Sequence, residues 1–459
     1  MKSKTIAALA TAPFPSGLAV VRVSGPKAKE TANLLFNGTK SPIDHPRELI
    51  FGWLNDPQTG QKLDQVLAVF MPTPHSFTGE DTVEFQMHGS PTLVDKVLKV
   101  IFASGVVPAQ AGEFSRQAFL NGKLDLVQAE AVCELASATS ENALKIARAN
   151  LGGALSNAID RIAEPLRNSL AEIEANLDFP EEEINPDSSE KIKASLNTVM
   201  EQTVKLRNSF EFGSRVRDGF RVLIAGKPNA GKSSLLNALL NRERAIVSDI
   251  PGTTRDFIEE ELNIGGYRFI FCDSAGLRQS QDPIEKLGIE LAIEKLDWAD
   301  LVLLIADASE ENPNWSEALS LIQARAKKIW FVVNKIDLNP AAIGVLICDS
   351  QTCTRNFYLS AKNQAGTDEL LSALKDELKN SSSDYAEGNI VISNARHFEC
   401  LNRGIESVQA AINGLNGNNP LELVSADLRV ALNALEEIVG KTYTEDILGR
   451  IFSKFCIGK

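Results

Sequence analysis

The chain is poor in the features that mark metal, disulfide, membrane or nucleic-acid scaffolds. Its six cysteines, Cys133, Cys272, Cys348, Cys353, Cys400 and Cys456, form no Cys-x-x-Cys pair. Neither a zinc site nor a disulfide framework is expected, and a reduced, cytoplasmic setting follows as the natural expectation. No apolar run approaches the length of a membrane span. Met1-Lys2-Ser3-Lys4 leads into Ile6-Ala7-Ala8-Leu9-Ala10, which has the look of a weak signal segment. Thr11, Pro13 and Pro15 follow with no clean cleavage site and no Arg-rich leader, so the run reads as the first strand of a domain. Basic charge is also short: 47 Lys and Arg stand against 60 Asp and Glu, a net charge of −13. No general basic footprint marks the surface, and an RNA partner would have to be met by local patches or by a second protein.

The remaining composition, 44% apolar and 23% charged over 459 residues, is that of a globular protein too long for one core. Two or three domains are expected. Residues 1–119 mix short apolar runs with turns: Leu18–Val23 and Val66–Phe70 read as strands and Pro91–Ala103 as a helix, an α/β or α+β unit. From Leu124 the spacing of Leu124, Val127, Ala131, Leu135 and Ala138 is helical, and helix formers dominate as far as Phe210. Glu181-Glu182-Glu183 interrupts them as a solvated loop or helix start. Strands and helices then alternate from Arg221 to about residue 380, the pattern of a parallel sheet covered on both faces. Beyond Ser381-Ser382-Ser383-Asp384 the chain is helical again, with Leu428, Leu432, Leu435 and Val439 on one face. The expected fold class is α/β, with segments 1–119, 120–216, 217–379 and 380–459. A mainly parallel P-loop domain is inserted into a helical domain built from the two flanking blocks.

The chemistry concentrates in the inserted segment. Val222–Ala225 reads as a strand and Ser234–Leu240 as a helix, joined by Gly226-Lys227-Pro228-Asn229-Ala230-Gly231-Lys232-Ser233. This is a GxxxxGK[ST] loop in its strand–loop–helix setting, where glycines let backbone N–H groups cradle phosphates beside a helix N-terminus. Lys232 would reach the β- and γ-phosphates, and the Ser233 hydroxyl would bind Mg²⁺. Asp273-Ser274-Ala275-Gly276 follows the strand Phe269–Cys272 and matches the Asp-x-x-Gly of a γ-phosphate switch. Asn334-Lys335-Ile336-Asp337 follows Ile329–Val333. A carboxylate at Asp337 accepts from N1–H and the 2-amino group of guanine, donors that adenine lacks there, and leaving the buried Asp337 unpaired would be costly. Ser360-Ala361-Lys362 follows Phe357–Leu359 and resembles the loop that completes the base pocket. Four ordered matches point to GTP binding and hydrolysis.

The position that holds a water-orienting Gln in Ras-like enzymes is Leu277, so the hydrolytic machinery must differ. Ser248-Asp249-Ile250-Pro251-Gly252-Thr253-Thr254-Arg255-Asp256 lies where the first switch belongs, with Thr254 as the second Mg²⁺ hydroxyl. Arg255 and Arg278 read as arginine fingers or, more simply, as solvated surface residues. His88, in Met-His-Gly, reads as a core or turn residue. Cys456 stands fourth from the end, where prenylation, an inert thiol and a reactive thiol all remain open, although Gly458 and Lys459 suit prenylation poorly.

Asn229, Pro-Gly-Thr-Thr-Arg-Asp at 251–256, Asp-Ser-Ala-Gly-Leu-Arg at 273–278 and the terminal Phe-Cys-Ile-Gly-Lys at 455–459 together resemble the TrmE (MnmE) family of tRNA modification GTPases. Thr-Ile-Ala-Ala-Leu-Ala-Thr-Ala-Pro near the start, Ser-Phe-Thr-Gly-Glu-Asp at 76–81 and Leu-Asn-Gly-Lys-Leu-Asp-Leu at 120–126 extend the likeness over the whole chain. Ser274 and Pro251 depart from it, standing where the family usually has Thr and Ala. The resemblance implies a K⁺-dependent GTPase whose G domains dimerise across the nucleotide, with K⁺ held by Asn229, Ser248, Ile250 and Thr253 in place of an arginine finger. Glu285 would position the attacking water. It also implies a constitutive homodimer binding 5,10-methylene- or 5-formyl-tetrahydrofolate through Arg22, Glu80, Lys123 and Lys459. With an FAD-containing partner of the MnmG (GidA) type it would act on carbon 5 of the wobble uridine of certain tRNAs. A ribosome-assembly GTPase and a GTP-dependent scaffold are the competing expectations.

Overall fold

The computed structural model describes residues 4–178, 186–242, 259–273, 295–310, 322–344, 353–380, 390–417 and 419–458. The acidic run 181–183 and Cys348 lie outside them. The chain forms two compact units. One comprises Met1–Ser137, Ala147–Val204 and Glu399–Lys459, and the other Ala138–Ile146 and Lys205–Phe398.

The first unit opens on a seven-stranded sheet built from β1 (Ile6–Leu9), β2 (Ser16–Ser24), β3 (Phe36–Gly38), β4 (Ile50–Asn55), β5 (Lys62–Met71), β6 (Thr82–Gly89) and β7 (Val107–Pro108). Their order is β3-β4-β5-β6-β2-β1-β7, and every pairing is antiparallel except β1 with β7. Alternation explains the single buried face. Ala19, Val21 and Val23 of β2, Val66 and Ala68 of β5, and Val83, Phe85 and Met87 of β6 all enter one core. The helix Pro91–Ala103, with Pro91 at its first turn, lays Val94, Val97 and Ile101 on that core.

The helical part of this unit begins at Leu126, not at Leu124. Asp125 accepts from the Gln128 amide at 2.8 Å while Gln128 Oε1 accepts from the Asp125 amide at 3.0 Å. That reciprocal pair caps the helix Leu126–Ser137 and excludes Leu124 from it. Helix Ala154–Asp178 packs with helix Leu421–Val439, and Arg167 donates through Nε and Nη2 to Glu436 Oε1 across that seam. Leu428, Leu435 and Val439 are buried as expected, with Leu432 half-buried. Helix Glu445–Phe452 seats Leu448, Ile451 and Phe452 with Phe455 against Phe119 and Leu126, tying the end of the chain to its first third. Burying side chains of that size contributes about 1.5–3 kcal/mol each.

The second unit carries β8 (Phe220–Gly226), β9 (Glu259–Ile264), β10 (Tyr267–Asp273), β11 (Leu301–Asp307), β12 (Ile329–Asn334) and β13 (Cys353–Tyr358). The sheet order is β13-β12-β11-β8-β10-β9, parallel except for the β9–β10 hairpin. β11 and β12 are continuous apolar runs because both faces are covered. Leu301, Leu303 and Ile305 enter one core and Val302, Leu304 and Ala306 the other. β13 is set slightly earlier than the run Phe357–Leu359, ending at Tyr358.

Candidate functional sites

β8 is flanked by β10 on one side and β11 on the other, which makes its carboxyl end a switch point of the parallel sheet. Gly226, Asp273, Asp307 and Asn334 close four neighbouring parallel strands, with Ile305 paired to Gly226 and Asp307 to Asn334. These strand ends lie side by side along one edge of the sheet.

The phosphate loop is shaped by backbone geometry. A Cβ on Gly226, at φ +153°, would stand 2.4 Å from Ile305 O, and one on Gly231, at φ +92°, would stand 2.2 Å from Asn334 Nδ2. Neither position admits a side chain, so the loop can present its N–H groups at close range. Asn229, exposed at the tip, adopts φ 64°, a left-handed conformation that Asn tolerates. Helix Lys232–Arg242 starts directly behind the loop, with Ala230 and Lys232 buried and Ser233 and Ser234 exposed. Lys232 Nζ donates to the carbonyls of Gly226 and Lys227, each at 3.0 Å, which holds the ammonium under the loop. Ser233 Oγ donates to Asp273 Oδ2 at 2.9 Å. A hydroxyl and a carboxylate so joined form the oxygen donor set that suits a hard cation such as Mg²⁺.

The residues expected to read the base meet through Asn334, which is 2% exposed. Its Nδ2 donates to Ala230 O at 2.9 Å, and its Oδ1 accepts from the amides of Lys335 at 2.8 Å and Ala361 at 3.0 Å. Lys335 has φ 65°, which for this residue type costs about 1–3 kcal/mol. Two bonds hold it there: its own amide to Asn334, and Nζ to Asp307 Oδ2 at 2.6 Å. Burial alone would raise the Asp307 carboxyl. Hydrogen bonds from Lys335 Nζ and from the Ser309 hydroxyl and amide outweigh it and hold the group below its ordinary value. Ser360 is buried and bridged to Ala365, and a Cβ at Gly366 would meet Tyr358 O at 2.4 Å, so this turn is as tightly set as the phosphate loop. Asp337 and Lys362 are exposed at the rim. The expectation that Asp337 is buried is not met: it is exposed. Asp307 was missed as a site residue, although an Asp closing the apolar run Leu301–Ala306 at a strand's carboxyl end was a usable signal.

Ser248, Asp249, Ile250, Pro251, Gly252, Thr253, Thr254, Arg255, Ser274, Ala275, Gly276, Leu277, Arg278, Glu285 and Lys459 lie outside the described residues.

In the first unit, three of the residues expected at the second site gather around the loop 76–81. Arg22 pairs with Glu84 at 2.7 Å and lies 5.8 Å from the centre of the Phe77 ring and 5.5 Å from that of Phe114. Ser24 and Thr78 hydroxyls are bonded at 2.7 Å, and Asn121 Nδ2 donates to Thr78 O at 2.8 Å. The Lys123 stem lies against Gly79, where a Cβ would stand 3.1 Å from Lys123 Cγ. Glu80 sits in the same loop, half-buried. Gly458 is packed on the end of β1: a Cβ there would meet Leu9 O at 2.2 Å. His88 is neither core nor turn. It is exposed at the end of β6, where its amide donates to Asp64 Oδ2 at 2.9 Å and its Nδ1 lies 2.8 Å from Asp64 Oδ1.

The described residues contain no helix long and apolar enough to cross a membrane. Residues 126–456 match the family described as MnmE helical domain, and residues 5–123 match GTP-binding protein TrmE N-terminus. The tRNA modification GTPase MnmE of Geobacter sulfurreducens is 39% identical over 455 residues, covering 99% of each chain. The MnmE of Vibrio cholerae serotype O1 is 40% identical over 465 residues, covering both chains fully. That of Hydrogenovibrio crunogenus is 41% identical over 457 residues, 99% of this chain and 98% of its own. A glycine-shaped phosphate loop bonded to an Asn-Lys-x-Asp segment, with likeness of this extent on both sides of it, has one reading: the chain belongs to the family of the tRNA modification GTPase MnmE.

Proposed function

We propose that this chain is a K⁺-dependent GTPase that works as a homodimer, with an FAD-containing partner of the MnmG (GidA) type, to modify carbon 5 of the wobble uridine of certain tRNAs. The addition is of the carboxymethylaminomethyl type, with 5,10-methylene- or 5-formyl-tetrahydrofolate as one-carbon donor. GTP hydrolysis itself is the family's activity and drives a conformational step, not the carbon chemistry. The observation that carries the reading is the pairing of two prepared sites in one chain: the Asn334-centred crevice, and the loop 76–81 with Arg22, Glu80 and Lys123 around it.

In this reading segment 217–379 is the GTPase domain, 1–119 the folate-binding and dimerisation domain, and 120–216 with 380–459 the helical domain. Lys232 binds the β- and γ-phosphates from beneath the loop, where two carbonyls hold it. Ser233 and Thr254 would hold Mg²⁺, which offsets charge on the phosphate oxygens. Asn229, Ser248, Ile250 and Thr253 would hold K⁺, which supplies the positive charge that an arginine finger gives elsewhere. The exposure of Asn229, in its left-handed conformation, supports this role. Glu285 positions the attacking water, and Asp337 accepts from the guanine edge. Arg22 and Lys123 hold the glutamate tail of the folate, with Lys459 beside them, and the Glu80 carboxylate meets the pterin's donors. The packing of Gly458 on Leu9 supports this, because Ala8, the residue before Leu9, pairs with Arg22 across β1 and β2.

Mass spectrometry of tRNA from a strain lacking this chain tests the function. Loss of the substituent at carbon 5 of the wobble uridine is expected, restored by the wild-type chain. Unaltered tRNA would overturn the assignment.

A further inference from the structure

One cleft of the first unit lies beside the loop 76–81 and shares Lys123 with the residues gathered there. It measures about 430 Å³ and lies between the turn 120–125, the start of helix Ala154–Asp178 and the turn 439–443. Ser156 and Asp160 stand one helical turn apart in its wall, on the same face. Ser156 is 8% exposed, and its hydroxyl oxygen is buried without a hydrogen-bond partner among the described residues. Such a group costs about 1–3 kcal/mol if nothing completes it, and a bound molecule is one of the few things that can. Asp160 Oδ1 accepts from Lys441 Nζ and Arg167 Nη2, while Oδ2 takes no hydrogen bond among the described residues. The wall therefore offers an open acceptor and, one turn away, a hydroxyl able to donate or accept. Tyr443, 43% exposed, stands edge-on to Phe119 with centroids 5.2 Å apart, which leaves a ring face toward solvent. Lys123 is exposed at the rim.

A half-exposed aromatic ring, an acceptor–hydroxyl pair and a rim ammonium are what a single unstacked nucleotide requires. The base stacks on the ring, its edge is read by the pair, and the phosphate meets the cation. Charge favours a nucleotide within a strand over a free one. Lys123 and Lys441 stand against Asp125 and Asp160 in the lining, so the cleft has no excess positive charge and suits the single charge of a phosphodiester better than the multiple charge of a free nucleotide. We propose that this cleft takes one splayed-out nucleotide from a single-stranded segment of RNA. The proposal rests on the tRNA reading and deepens it: Lys123 borders both the cleft and the loop 76–81, so a nucleotide held here sits beside the one-carbon donor site.

The test uses the full chain and a short anticodon stem-loop RNA carrying 4-thiouridine in its loop. Irradiation should cross-link it to peptides containing Tyr443 or Gln128. Tyr443→Ala should weaken stem-loop binding about tenfold, while Tyr443→Phe, which keeps the ring, restores it. Ser156→Ala should also weaken binding, yet leave the Tm of the free chain unchanged or higher, because the hydroxyl it removes has no partner. Wild-type affinity in both Tyr443→Ala and Ser156→Ala, or cross-links confined to other segments, would overturn the cleft. Uridine monophosphate bound as tightly as the stem-loop would overturn the RNA assignment. If tRNA from the deletion strain has lost its substituent while these variants bind normally, only the cleft fails. If that tRNA is unaltered, the tRNA reading itself fails.

Discussion

The side-chain amide of Asn334 donates to the carbonyl oxygen of Ala230, and its own oxygen accepts from the amides of Lys335 and Ala361. One buried residue thus fastens the phosphate loop, the base-reading loop and the turn after β13 to each other. Asn334→Ala removes three bonds at once and leaves a buried carbonyl and two amides without partners. Nucleotide affinity should fall about 10- to 100-fold, on the scale of two or so such losses at about 1–1.5 kcal/mol each. Titration with a fluorescent GDP analogue measures it, and an affinity within twofold of wild type would contradict this role.

In the proposed function base choice rests on Asp337, whose side chain is exposed. Asp337→Asn should favour xanthosine triphosphate over GTP, because the 2-oxo group of xanthine complements an amide donor. Competition between the two nucleotides on the variant decides it; a retained preference for GTP would remove Asp337 from base recognition.

Hydrolysis should run at least about tenfold faster in K⁺ than in Na⁺, the scale of one lost charge-stabilising contact. Asn229→Ala should abolish the difference while leaving GTP affinity nearly intact. Single-turnover rates in the two salts are the measurement, and equal rates in the wild-type chain would end the K⁺ mechanism.

The Asp307–Lys335 pair makes a pH-dependent contribution of known sign. The folded carboxyl titrates below its ordinary value of 3.8, so the folded state binds fewer protons than the unfolded chain as the pH falls past that value. Its contribution is full above that value and is lost as pH drops through the lower, folded pKa. Asp307→Asn should cost about 1.5–3 kcal/mol at neutral pH, and the gap from wild type should narrow below about pH 3.8. Urea unfolding of both proteins across that range tests it; a gap independent of pH would assign the loss to packing.

Deleting Cys456–Lys459 removes the residue that sits on Leu9 but spares Phe452 and Phe455, which anchor the last helix in its core. Tetrahydrofolate binding should be lost while GTP turnover persists. Calorimetric titration and turnover assays on the same truncated chain separate the two, and unchanged folate affinity would refute the binding role of the tail.

Motifs in this sequence placed the crevice because phosphate recognition is written in glycines and in residue types that nothing else in a βα turn requires. Gly226 and Gly231 were legible for that reason, as were the strand ends at Asp273 and Asn334. What Asn334 bonds was not legible, since its partners Ala230 and Ala361 offer backbone groups that any residue carries. The helix start at Leu126 was missed by two positions because periodicity outran the Asp125–Gln128 cap. Asp307 escaped for the opposite reason: a lone carboxylate has no spacing to recognise, and only the register of β11 with β12 brings it to Lys335.

The two units differ in how their chain is drawn. The second is nearly continuous, 205–398 with one short earlier piece, whereas the first is assembled from three stretches, the last beginning at Glu399. During synthesis the nucleotide-binding unit is therefore complete in sequence while the first still lacks its final helices and the tail that closes on Leu9. A chain that stops anywhere between residues 399 and 458 has the second unit whole in sequence but lacks part of the first. The packing of Gly458 on Leu9 at the end of β1 is thus among the last contacts of the first unit that can form as the chain is made.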